Sequence, residues 1–534
     1  MKKVSYLLLI AVIYVIPVIG QDIEVEKIYE ISGKAKRGNL GNAEFDAKTG
    51  NYILTYVTKS NVKSAKFENY RFDKDFNFIK MDQQEFEFDV AKVKFPWWKF
   101  RGEEYKSEGI TAVANLTGQL VLRKYEITYN YNWFFASYTP KYKMLDKVKM
   151  RSEEGDKYYY LKGFDNINNG NLLVLVGLKN ENDKASVFKD LHILQINNNL
   201  DVVKNININF DYPQLLVLSK SILDENDNII EILFLFAPVK FGKNPDPQKN
   251  RYTFLRVNPD LEILDKIIIN SPANYWEVND IVKIPDNEEY YLYGPSAAGE
   301  DKYYDQLVNT TTYKAFQVAK ISNHKIDYMT ETFIYEFDSK LKFPPDQRQS
   351  PAYDGKKFDL SNMEILSNGD LFITGQTWGG KFNAITGNRD FTYKDFLGFH
   401  FDKNGKLVSQ YGIDAKENSG KYMAPQVQVE SDNGKYLYWL IQEVKGEKGE
   451  GIGFQILGIP QFSTLLKKRL LTYPRMGKID LSSGSVSDFI LYGKEKYFCD
   501  NNFPILKNSS EKKLVLFGSN REGDVIWFVR VRMD

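Results

Sequence analysis

A polar turn built from Asn, Asp and Gly, followed at once by a hydrophobic strand, recurs along this chain, and that recurrence constrains its fold more than any other feature. Eight copies are present: KTGNYILTYV from Lys48, LTGQLVLRKY from Leu116, NNGNLLVLVG from Asn168, ENDNIIEILFLF from Glu225, DNEEYYLYG from Asp286, SNGDLFITG from Ser367, DNGKYLYWLI from Asp432 and SSEKKLVLFG from Ser509. With Gly50, Gly118, Gly170, Asn228, Glu288, Gly369, Gly434 and Lys512 taken as equivalent, the copies recur every 52 to 81 residues. Asn, Asp and Gly supply the left-handed backbone that a tight hairpin needs, so each copy reads as a turn joining two antiparallel strands.

Each copy continues through a variable loop into a second hairpin. Examples are YRFDKDFNFIK from Tyr70, LHILQINNNLDVVK from Leu191, FLRVNPDLEILDK from Phe254, VAKISNHKIDYM from Val318 and FLGFHFDKNGKLVSQ from Phe396. Four antiparallel strands therefore fill each repeat, with room for a single short helix at Phe462 to Leu471. A four-stranded unit repeated around a ring is a β-propeller. The expectation is an all-β fold: a single β-propeller of eight four-stranded blades, or seven if the irregular repeat from Gly109 to Met150 is not a true copy. The last repeat ends at Asp534 one strand short, and the alternating stretch Asp22 to Ile31 is a spare strand at the other end of the chain. Pairing the two would complete the last blade and close the ring, leaving no open edge.

The first twenty residues stand apart. Lys2 and Lys3 precede an apolar run from Val4 to Ile19 that ends in Pro17-Val18-Ile19-Gly20. This is the pattern of a secretory signal peptide cut after Gly20, leaving residues 21–534 as the propeller domain. An uncleaved anchor is the alternative, although the run is short for a bilayer, which takes about 20 residues. After Gly20 no segment is apolar enough to span as a helix, so no transmembrane segment is expected in the cleaved chain. The setting this implies is bacterial and secreted, periplasmic or at the cell surface.

Charge and reactive side chains narrow the function. There are 71 basic and 70 acidic residues, a formal charge of +1, so the chain lacks the field of a nucleic-acid binder. One Cys and three His leave no internal disulfide and no expected metal site or cofactor. His192 and His400 fall on third strands and His324 in a lower turn, so a Ser-His-Asp apparatus is not expected. No catalytic residue is assigned. Cys499, with no His nearby in sequence, reads as a structural thiol. Asp224-Glu225-Asn226-Asp227-Asn228 imitates an EF-hand but has Ile229 where the glycine belongs, so it reads as a turn.

The repeat is similar to that of bacterial secreted propellers without a named signature, over nearly the whole mature chain and at the level of architecture. WD and kelch signatures are absent at this period. Ser431-Asp432-Asn433-Gly434 is followed by Trp439, too late for the sialidase-type Asp box. The resemblance implies no activity.

Loops carry function more often than the strands that hold them. Repeats four to seven have enlarged connections between second and third strands, at Ala237 to Asn250, Gly294 to Tyr313, Gln376 to Lys394 and Glu443 to Gly453. Long connectors between repeats, Phe95 to Tyr105, Ser271 to Asp280 and Phe343 to Phe358, open on the same side. The candidate ligand-binding residues there are Trp97, Trp98, Arg101, Tyr275, Trp276, Tyr303, Tyr304, Trp378, Arg389 and Asp390. Exposed rings beside charges suit a glycan or a protein partner; the bland alternative is that these rings wedge between blades. Glu277, Asp280, Asp301, Asp305, Asp346, Asp354 and Asp390 also lie there, and two of them could pair for glycoside chemistry. The expected function is a secreted or envelope recognition or scaffold protein that binds a glycan or protein through this rim. The alternative is a polysaccharide hydrolase or lyase using paired carboxylates.

Overall fold

The computed structural model describes residues 23–533, apart from 62, 89–90, 94–103, 133–136, 166–170, 180–186, 225–227, 239–250, 274, 286, 298–312, 348–350, 356–357, 383–388, 417–421, 449–468 and 509–512. The leader expected at residues 1–20 lies outside that range.

The fold is all-β. Among the described residues there are two short helices, Gly33–Arg37 and Ile334–Ser339, and a 3-10 turn at Gly493–Glu495. None is long and apolar enough to cross a membrane as a helix. Within each sheet strands near in the chain pair antiparallel, and two of the sheets hold four strands each. The first sheet runs Asn39–Asp46, Asn51–Ser60, Ser64–Phe72 and Phe78–Glu87; the second runs Ala91–Val93, Glu104–Ala114, Leu120–Asn132 and Ser137–Lys149. A seven-stranded sheet follows, in which the 22-residue strand Val202–Leu223 pairs with Val187–Ile196 along its first part and Ile229–Pro238 along its last. One continuous strand thus serves two neighbouring repeats.

The next two sheets are centred on Glu289–Ala297 with Ala315–Ser322 and on Leu371–Phe382 with Arg389–Phe401. The last sheet carries two repeats, from Gln426–Glu430 to Val525–Val531, and adds Ile23–Glu30 from the start of the chain. That first strand pairs antiparallel with Val525–Val531, from Ile23 opposite Val531 to Glu30 opposite Val525.

Second strands carry the core. Leu172–Gly177 is buried at every residue, because sheets cover it on both faces. Core clusters form between successive repeats. One holds Leu235, Phe254, Trp276 and Leu292; another holds Tyr293, Phe316, Phe399 and Phe401. A third brings Tyr52, Phe72 and Phe76 of the first repeat against Phe517 and Phe528 of the last.

The turn chemistry explains the repeat. Gly50, Gly118, Gly369 and Gly434 have φ of 70°, 80°, 87° and 65°, the left-handed region in which a side chain is costly. In the first of these turns the Asp46 carboxylate accepts from Lys48 N at 3.0 Å and Thr49 Oγ1 at 2.6 Å. Second hairpins solve the same problem differently. Phe76, Leu200 and Leu261 sit at φ of 60°, 69° and 57°, and all three are buried. Burial of an apolar side chain, about 1.5–3 kcal/mol, offsets the left-handed cost of about 1–2 kcal/mol.

Candidate functional site

The connections between second and third strands mark one end of the sheets, the upper end. Contacts align that end from repeat to repeat: Lys416 N of one repeat donates to Glu443 Oε2 of the next at 3.1 Å.

Several sequence expectations need correction here. The stretch Gln376 to Lys394 is mostly paired strand, with Leu371–Phe382 running beside Arg389–Phe401. Gly446 of the expected loop Glu443 to Gly453 is paired with Leu471, and the strand continues to Lys448 before a gap in the described residues at 449–468. Leu471 therefore belongs to strand Arg469–Asp480 and not to a helix; 462–468 lie outside the described residues. In each case the hairpin simply extends, because backbone groups beyond the core still pair with each other.

Trp97, Trp98, Arg101, Tyr303 and Tyr304 lie outside the described residues, as do Asp301 and Asp305. Arg389 and Asp390 begin the strand Arg389–Phe401, opposite Phe382 and Lys381. Trp276 is 1% exposed and packs in the core; its backbone N donates to Tyr252 Oη at 2.8 Å, and that hydroxyl donates to its carbonyl at 3.0 Å. It is a wedge between repeats, not a contact surface. Tyr275 is also buried, its ring parallel to that of Tyr313 at 6.3 Å.

Trp378 leads to a grouping that sequence reading did not assemble. Its Nε1 donates to Asp359 Oδ1 at 2.9 Å, and Tyr393 Oη donates to Asp359 Oδ2 at 2.6 Å. In the adjoining repeat Tyr313 Oη and Tyr275 Oη both donate to Glu277 Oε2, the second at 3.4 Å. Two carboxylates from adjacent repeats thus lie at the upper end in unlike surroundings, near enough for the charge of one to reach the other. Burial pushes the Glu277 carboxyl above its ordinary range, and the charge of Asp359 adds to that push, against the Tyr275 hydrogen bond. Three glycines permit the approach: a Cβ on Gly294 would strike the carbonyl oxygen of Glu277, one on Gly355 that of Tyr313, and one on Gly375 that of Asp359. Asp359 was missed because it sits at a strand end where the sequence reads as sheet, and Tyr313 and Tyr393 because they fell in the expected loops Gly294 to Tyr313 and Gln376 to Lys394, where nothing singled them out.

A further charged centre lies one repeat on. Arg475 and Glu443, 3% and 4% exposed, pair at 2.9 Å, and Arg475 Nη2 donates to the Asp414 carbonyl at 2.8 Å.

Beyond it, a cavity of about 790 Å³ opens between the last two repeats. Its floor is the stacked pair Tyr473 and Phe498, with ring centroids 5.0 Å apart; with Leu471 they form a small apolar cluster of their own. Tyr497, stacked on Trp527 at 5.6 Å, forms part of the wall. Lys445, Lys496 and Arg521 reach the lining, with Glu495 and Glu522 as its carboxylates. Lys445 Nζ lies 4.7 Å from the centre of the Tyr473 ring and 3.3 Å from Glu495 Oε2.

The wall beside Glu495 is strained. Gly493, Lys494 and Glu495 have φ of 75°, 46° and 58°, three left-handed residues in succession of which two carry side chains. A Cβ on Gly493 would come within 3.2 Å of Tyr497 and 3.3 Å of Trp527, so a side chain there would crowd both. Strain of this kind gathers where a surface is shaped for a purpose. No sequence signal marked it, since Lys and Glu are not left-handed formers.

No family model matches the chain, and no curated protein matches it. Among solved structures it is similar to a member of the DUF4221 family from Bacteroides vulgatus, at 10% identity over 70% of this chain and 93% of that one, with a TM-score of 0.23. It is also similar to a lignostilbene dioxygenase of Pseudomonas brassicacearum, at 9% identity over 80% and 93% of the two chains and a TM-score of 0.27. An exotype rhamnogalacturonan lyase, YesX, matches at 10% identity over 92% and 89%, with a TM-score of 0.23. Nothing about the site rests on likenesses at this level.

Proposed function

We propose that the chain is an exported recognition protein, a ring of eight four-stranded blades that binds a glycan or a protein at its upper end. Export rests on the leader pattern at residues 1–20. Ring closure is supported by the pairing of Ile23–Glu30 with Val525–Val531 and by the core that first and last repeats share. The observation that carries the binding function is the cavity between the last two repeats. Its volume falls within the roughly 300–1,000 Å³ of ligand sites, its floor is aromatic, and its wall is held in a costly backbone conformation. A glycan array and a pull-down with residues 21–534, repeated with Tyr497→Ala, test the reading. Binding that depends on Tyr497 supports it; ligands indifferent to that change place recognition elsewhere.

The enzymatic alternative has one observation in its favour. Burial raises the Glu277 carboxyl and Asp359 accepts from two neutral donors, and two carboxyl groups in unlike surroundings are what glycoside cleavage asks for. Release of reducing ends from polysaccharides, abolished by Glu277→Gln and by Asp359→Asn, would move the assignment to a hydrolase.

A further inference from the structure

Resting on the recognition reading above, we infer that the cavity between the last two repeats takes a saccharide bearing carboxylates, a uronate-containing chain, and that Lys496 and Arg521 read its charge. Three observations lead there.

The first is charge. Cations outnumber carboxylates in the lining, and Glu495 is already engaged by Lys445. Lys496 and Arg521 are exposed and have no carboxylate partner among the described residues. An anion entering the cavity therefore meets two cations whose pairing it does not have to break, against the single remaining carboxylate Glu522.

The second is the mixture of surfaces. Leu471, Val525 and the half-buried Tyr497 offer carbon surface, while Asn520 and the charged tips offer hydrogen-bonding groups between them. A sugar ring presents the same alternation of C–H faces and hydroxyl edges, so it matches a wall of this kind without leaving polar groups unpaired.

The third is rigidity. Tyr497 is fixed by stacking on Trp527, Tyr473 by stacking on Phe498, and both Lys496 and Glu495 are set by the left-handed turn that begins at Gly493 beside Trp527. A site already in place loses little entropy when a flexible oligosaccharide arrives.

The probes are tetramers of galacturonate and glucuronate, the neutral tetramers cellotetraose and laminaritetraose, and hexaglutamate, titrated calorimetrically into residues 21–534 at low and high salt. The expected result is uronate binding that weakens with salt and falls by about tenfold or more in Lys496→Glu and in Arg521→Glu. Both side chains are exposed, and unchanged thermal unfolding of the variants confirms that the fold is retained. Equal affinity for neutral tetramers overturns the charge assignment but leaves saccharide recognition standing. Equal affinity for hexaglutamate overturns the saccharide in favour of an acidic peptide. Uronate binding unaffected by both charge reversals places the ligand outside this cavity, and no binding of any uronate overturns the inference. If arrays with the same protein also find no ligand that depends on Tyr497, the recognition reading fails with it.

Discussion

The ring of Phe76 lies parallel to that of Phe528, 4.8 Å away and 6° from coplanar, so a left-handed turn of the first repeat is stacked on the last strand of the chain. Phe528 is 1% exposed and Phe76 3%. Replacing either by Ala opens a cavity at the junction of the two chain ends, and each change is expected to cost about 3–5 kcal/mol. The double variant should cost less than the sum, because the two rings share one contact. Urea unfolding of the four proteins checks this, and strict additivity would separate the rings energetically.

Glu277 makes stability depend on pH in a definite direction. Its folded value lies above the ordinary 4.5, chiefly through burial, so the native state holds this proton longer than the unfolded chain does. Its contribution is therefore most favourable at or below the ordinary glutamate range, declines as pH rises through the raised value, and is flat above it. Glu277→Gln should be more stable than the parent near neutrality and should lose that segment of the pH profile. Urea midpoints measured from about pH 4 to about pH 8 give the answer; a parent profile that climbs across the same window in step with the variant contradicts it.

Arg256 is the hub of a buried ionic network at the lower end. It is 3% exposed, bonds Glu231 through Nε at 2.5 Å, and pairs with Asp265 through Nη1. Lys283 Nζ reaches Glu231 at 2.7 Å from the next repeat, and Tyr290 Oη donates to the same carboxylate at 2.9 Å. Burial alone would lower the guanidinium, but Glu231 first, then Tyr290 and Asp265, raise it, so it stays charged. Removing one partner strands the other in the interior: Glu231→Ala should cost about 3–5 kcal/mol, whereas an exposed pair such as Lys66 with Glu85 should give a change near zero. Thermal and urea unfolding of both variants make the comparison.

Gly375 tests how the carboxylate pair is held. A Cβ there meets the backbone of Asp359 and the Phe358 ring, neither of which can yield cheaply. Gly375→Ala should push Asp359 away from Trp378 and destabilise the sheet by about 1–3 kcal/mol. A shift in indole N–H resonance would report the broken bond, while an unmoved resonance would show that the strand adapts.

Much of the strand plan could be read from turns. Gly50, Gly118, Gly369 and Gly434 have a left-handed backbone for reasons visible in their residue type, and the hydrophobic run after each is a strand. The pairing of Ile23–Glu30 with Val525–Val531 was legible too, since one strand was missing at one end and one was spare at the other. Sites were far less legible. Trp276 looked like a surface ring because a long connector surrounds it, yet a large ring between two sheets gains more from burial than from exposure. Asp359 and Tyr473 looked like sheet because they are sheet, and their roles come from another repeat, through the charge of Asp359 on Glu277 in one case and the stacking of Tyr473 on Phe498 in the other. Lys494 and Glu495 carry a left-handed turn that no propensity announces.

The strand Ile23–Glu30 is made before every repeat, and its partner Val525–Val531 lies in the last of them. A chain growing from its N-terminus must leave these eight residues, apolar and charged side by side, without this partner until Val525–Val531 is made. The sheet of the last repeat gains this outer strand only once Val525–Val531 has been made. Any fragment that stops before Val525 therefore leaves Ile23–Glu30 without the partner it has in this fold.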